Sequence, residues 1–198
     1  MPQPTPEIRL DLDTVEEASA RGHALDFPRT LPSDVIEGVI RAIGSLINWT
    51  WALLVAVIVV NVVMRYALST NYVWVEEVQW HMYAVGYMIG IAYAVSHDAH
   101  VRVDVLASGM GARTRAWVEL AGILVLIGPM VWVLVEYAIP FVDRAWRINE
   151  KSSAPGGLAN RWAIKSVMIV AFGMLALAAA ARLMRITAFL FGLPRPRP

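Results

Sequence analysis

The chain has 198 residues, 58% of them hydrophobic and only 17% charged, with a formal net charge of +1 and no cysteine. Soluble domains average about 45–50% apolar and about 25% charged residues, so the composition argues against a water-soluble globule and equally against a disordered chain. The missing cysteines remove disulfide scaffolds and thiolate chemistry, and the near-neutral charge offers no basic surface for nucleic acid.

Residues 1–32 are Pro-rich (Pro2, Pro4, Pro6, Pro28, Pro32) and acidic (Glu7, Asp11, Asp13, Glu16, Glu17, Asp26). They lack the basic start and apolar run of a signal peptide, and are expected to form a disordered, uncleaved tail. Ser33, directly after Pro32, suits an N-cap. Val35, Ile36, Val39, Ile40 and Ile43 then form one apolar stripe opposite Asp34, Glu37 and Arg41. That pattern fits an N-terminal amphipathic helix on the membrane surface and equally an extension of the first span.

A membrane-spanning helix needs about 20 mostly apolar residues. Four stretches qualify, at about residues 42–64, 78–97, 117–141 and 162–184. The third requires Glu119 and Glu136 near its two ends, and the fourth places Trp162 and Lys165 at the interface. Trp49, Trp51, Trp74, Trp80, Trp117, Trp146 and Trp162 fall near these ends or in connecting loops, the depth tryptophan prefers; Trp132 does not. The expected fold is an all-α membrane protein of four transmembrane helices, with the four-helix domain over residues 33–190 and a short tail at 191–198. Lys and Arg are the more numerous on the side shared by the N-terminus, the second loop (Arg102, Arg113, Arg115) and the C-terminus. Both termini are therefore expected to be cytoplasmic.

Ionisable residues within a membrane are functional candidates by default, and few qualify. His81 lies early in span two, Glu119 and Glu136 near opposite ends of span three, and Lys165 at the start of span four. Only His81 sits where a haem ligand would, so a bis-histidine site cannot be assembled; no catalytic residue, metal ligand or cofactor site is expected. Arg65, Glu76, Glu77, Glu136 and Lys165 gather on the outer side. They suit a static network tying helix ends together, or a substrate site in a stand-alone, homo-oligomeric small transporter. Gly86 and Gly90 form a GxxxG that Ala94 continues, a ridge permitting close helix packing. Gly128-Pro129 interrupts span three and is expected to kink it.

Four short motifs occur in order at the span boundaries: Arg65-Tyr66 closing span one, Trp74-Val75-Glu76-Glu77 opening span two, Gly90-Ile91-Ala92-Tyr93-Ala94 late in span two, and His100-Val101-Arg102-Val103-Asp104 after it. In this order the chain resembles the DctQ-type small membrane subunit of tripartite ATP-independent periplasmic (TRAP) transporters. The resemblance covers roughly residues 40–190. It implies a non-catalytic scaffold in the bacterial inner membrane, bounded by lipid. That scaffold packs against a large elevator-type M subunit and helps dock a periplasmic substrate-binding P subunit, for organic-acid uptake driven by an ion gradient, usually sodium. It further implies that Trp74, Glu76 and Glu77 set an interfacial segment and that His100, Arg102 and Asp104 order the cytoplasmic loop. The stretch from Glu150 to Leu158, followed by Arg161, Trp162 and Lys165, resembles a subset of these subunits that accompanies binding proteins for 2-oxo acids or related monocarboxylates.

Overall fold

The computed structural model describes residues 27–96 and 110–194. They form four long helices: α1 (Leu31–Ala67), α2 (Val73–Ser96), α3 (Ala112–Arg147) and α4 (Trp162–Phe191). No strand occurs among the described residues. By length and composition, α1, α3 and α4 are apolar enough to cross a membrane. α2 is diluted by Glu76, Glu77, Gln79 and His81 in its first turns and by interfacial-type aromatics along its length.

α1 starts earlier than Ser33. Thr30, in extended conformation, takes the N-cap position, and Pro32 lies in the first turn, where its missing N–H is no loss. The Ser33 hydroxyl accepts from the Thr30 N–H (3.2 Å) and donates to the Thr30 carbonyl (2.9 Å). The presumed tail therefore ends sooner than residue 32. Phe27 is buried, edge-on to Phe189 at 5.5 Å, with the Arg182 guanidinium 4.8 Å from its ring centroid. The amphipathic segment is no separate surface helix either. It is continuous with the first span in a helix of 37 residues, about 55 Å long against a hydrocarbon layer of about 30 Å. The apolar stripe splits: Ile36, Ile40 and Ile43 pack inward, whereas Val35 and Val39 are exposed.

α3 contains a π-helical turn at Ile123–Ile127, closed by the Gly128 N–H on the Ile123 carbonyl. Pro129 explains it. Its ring would press on the carbonyl four residues back and it has no N–H to offer; widening the preceding turn relieves both. Gly128 fits closely there, since a Cβ would sit 3.3 Å from the Ile123 carbonyl oxygen. The irregularity expected at Gly128-Pro129 takes this form.

α4 packs against all three other helices. Its inner positions are mostly small (Ala171, Ala178, Ala179, Ala181, Ala188) with Met174, Leu175 and Ile186 between them, so three neighbours can approach one axis. One core joins Ile40, Ile89, Ala92 and Val131 to α4; a second, toward the chain termini, joins Phe27, Ala116, Leu120 and Ile123 to Ala179 and Ile186. The outward surface is also apolar, Leu46, Trp49, Trp80 and Trp132 among many, the inverse of a soluble bundle.

Candidate functional site

The polar groups collect at the two ends of the bundle. At the loop end, α3 and α4 are joined by residues 148–161, which fold back on themselves. The Ser152 N–H donates to the Leu158 carbonyl, the Gly157 N–H to the Ala154 carbonyl and the Arg161 N–H to the Glu150 carbonyl, each at 3.0 Å. Gly156 holds a left-handed φ of 77°. Glu77 of α2 latches this loop: its carboxylate accepts from the Ser152 hydroxyl in a short hydrogen bond and from the Leu158 N–H at 2.6 Å. These two donors, the Ser152 hydroxyl first, hold the Glu77 carboxyl below the usual carboxylate range. Gly157 fits beneath the latch only because it lacks a side chain; a Cβ would meet Ser152 at 2.6 Å and Glu77 Oε1 at 2.8 Å. One turn on, His81 Nδ1 lies 2.5 Å from the Glu77 carbonyl oxygen.

The outer charges expected to form one network divide into separate pairs. Arg65 and Glu76 are 3.7 Å apart and well exposed, a contact of small energetic value. Lys165 Nζ donates to Glu150 Oε2 at 2.5 Å and lies 3.9 Å from the Phe141 ring centroid, while Trp146 meets Trp162 edge-on at 4.3 Å. Glu136 joins none of them: it is exposed on α3. Trp132 is likewise exposed. Between α1 and α2 lies a cavity of about 410 Å³ lined by Asn61, Arg65, Glu76, Gln79, Trp80 and Tyr83 among others. Within it Asn61 Oδ1 and Gln79 Nε2 have no hydrogen-bond partner among the described residues.

The glycine ridge on α2 is used in part. A Cβ on Gly86 would meet the Trp51 ring at 2.9 Å, but one on Gly90 would meet nothing. The buried line is Gly86, Ile89 and Ala92, on the side where α2 packs against α1 and α4. Tyr93 packs against Gly44, where a Cβ would overlap its ring, and Ala94 is half-buried. Tyr66 is exposed at the end of α1 and Trp74 at the start of α2, the latter tilted against Tyr72 at 6.3 Å. His100, Arg102 and Asp104 lie outside the described residues, as do residues 1–26.

Sequence reasoning missed the opposite end. Arg185 of α4 donates to Glu37 at 2.5 Å and reaches Asp34 at 3.5 Å and Ser33 at 3.3 Å. Arg182 donates to Glu119 at 2.5 Å. In the sequence these arginines counted only toward the basic side of the membrane, with span four ending near residue 184. The signal was their spacing of three, which puts both on one face of a helix that runs on to Phe191. That helix stops at Gly192, in left-handed conformation with φ of 73°. Among the described residues no group of three or more His, Asp or Glu side chains could hold a metal ion.

Residues 54–189 match the family model for tripartite ATP-independent periplasmic transporters, DctQ component. The chain is also similar to the C4-dicarboxylate TRAP transporter small permease protein DctQ of Vibrio cholerae serotype O1 (strain ATCC 39315 / El Tor Inaba N16961), with 31% identity over 90 residues. That stretch covers 43% of this chain and 39% of the relative's length.

Proposed function

Because the chain belongs to the family of DctQ components of tripartite ATP-independent periplasmic transporters, a family of multi-pass membrane transporter subunits and not of enzymes, we propose that it is the static scaffold of such a transporter. The tripartite organisation implies an M and a P component. In this reading the chain packs against the large M subunit, widens its footprint in the membrane, and lends the 148–161 loop to the surface on which the P subunit docks. The cargo is an organic acid whose uptake is driven by an ion gradient. The relative's name points to C4-dicarboxylates, and the loop's resemblance to 2-oxo acids or other monocarboxylates. All four helices cross the membrane. α2, with 24 residues, is about 36 Å long, enough to span, and its polar first turns lie at the loop end beside Glu77. Both termini are cytoplasmic and the 148–161 loop is periplasmic.

One observation carries the scaffold reading beyond family membership. The described ionisable groups that touch other helices pair at the bundle ends, Glu77 with the loop, Lys165 with Glu150, and Arg182 and Arg185 with Glu119 and Glu37. Such pairs brace helices; they do not line a path through them. A tagged pull-down from native membranes tests this. A stoichiometric polytopic partner is expected. Recovery of this chain alone, monodisperse and stable in mild detergent, would favour the self-sufficient homo-oligomer instead.

A further inference from the structure

Ending the third span at Phe141 leaves Glu136 near its edge. α3 in fact continues to Arg147, so Glu136 lies about 16 Å short of the helix end. The aromatic residues give the depth. Trp146 packs against Trp162 at 4.3 Å, and such tryptophans mark the headgroup level. Glu136 is about 15 Å along the helix from Trp146, whereas the polar layer on each side is only about 5–8 Å thick. The carboxyl is therefore in the hydrocarbon. It is exposed, and no described residue supplies it with a hydrogen bond or ion pair. Its surroundings, Trp132, Val133, Tyr137 and Ile139, are exposed and uncharged.

The backbone at the same spot lacks one donor. Pro140 stands four residues on, inside the helix. It has no N–H to close the helical hydrogen bond to the Glu136 carbonyl. An unpaired carboxylate facing acyl chains is costly, and the missing backbone donor falls at the same residue.

We propose that this face of α3 is covered by a helix of the large membrane subunit that carries a basic side chain at the depth of Glu136, pairing with its carboxylate and donating to its carbonyl. The proposal rests on the scaffold reading above and adds the surface and the chemistry of its partner. A second copy of this chain is a poor occupant. An isologous contact through the same face would set carboxylate against carboxylate, or against apolar surface. A lipid headgroup is held at the polar layer, out of reach.

The test co-expresses the chain with its large membrane subunit. It compares wild type with Glu136→Leu, and in a separate variant replaces Trp132 by a photocrosslinking amino acid. Wild type is expected to recover the large subunit, and Glu136→Leu to reduce that recovery on the order of tenfold, the scale of losing one interhelical polar contact in a membrane. The isolated Glu136→Leu chain is expected to keep its melting temperature in detergent, and the Trp132 crosslinker to give an adduct of the combined mass. Full recovery with Glu136→Leu, adducts only with a second copy, no protein adduct, or a lowered melting temperature of the isolated variant overturns the proposal while the scaffold reading stands. Failure of wild type to recover any large subunit overturns the scaffold reading, and this proposal with it.

Discussion

Replacing Glu77 by Gln removes the charge that the Ser152 hydroxyl and the Leu158 N–H both serve, and a charged acceptor makes the stronger hydrogen bond. The variant is expected to raise amide hydrogen exchange across residues 150–158 without disturbing α4. Gly157→Ala should do the same from the other side, since its Cβ has no room beside Ser152 and Glu77. The latch is also pH-dependent. Its carboxyl is held below the usual range, and the residue lies just before the proposed span. A depressed acid contributes its stability in full above the ordinary carboxylate range and loses it as pH falls through the lowered value. Exchange in the loop should accordingly be flat through neutral pH and rise only in acid; a loop equally protected at the acid extreme would exclude the latch.

At the scale of helices, the two glycines of the α2 ridge separate cleanly. Gly86→Leu drives a side chain into Trp51 and is expected to cost about 1–3 kcal/mol, the range for overpacking. Gly90→Leu meets open space and is expected to leave the isolated chain within about 0.5 kcal/mol. Thermal unfolding of both variants in the same detergent checks the difference. At the other end, α1 is held to α4 by Arg185. Arg185→Ala leaves Glu37 largely buried without its charged donor and is expected to cost about 1.5–3 kcal/mol. The first turns of α1 should then exchange faster while the Ile89–Ala92 region of α2 stays protected. Uniform destabilisation would mean that the N-terminal part of α1 and the core unfold as one unit.

The whole molecule is an apolar-surfaced bundle with one alanine-rich helix, α4, against all the others, and its topology is directly testable. The chain has no cysteine, so single cysteines report position without background. Ser153→Cys, in the exposed 148–161 loop, is expected to react with a membrane-impermeant maleimide on intact spheroplasts. Leu193→Cys, exposed beyond the end of α4, is expected to react only after permeabilisation. The reverse pattern would invert the orientation drawn from Lys and Arg placement. Equal labelling of both before permeabilisation would put the loop and the C-terminal end on one side and rule out a single crossing by α4 between them.

Composition and hydropathy determined much by themselves. Long runs without charge dictate helices that bury their own backbone hydrogen bonds in lipid, and four ordered motifs at the span boundaries sufficed for the family. The presence of charged residues at the helix ends was legible too, as was the irregularity at Gly128-Pro129. Their pairings were not. Whether Glu77 meets a lysine or a loop, whether Gly90 touches a helix, and which way Glu136 faces depend on rotations about helix axes, and one residue turns a side chain by about 100°. Helix ends were equally hidden, because a charged residue at the membrane edge reads the same whether the helix stops there or continues into water. Only the packing of α4 against α1 and α3 decided that α3 runs to Arg147, that α1 begins before Ser33, and that Arg182 and Arg185 brace the bundle.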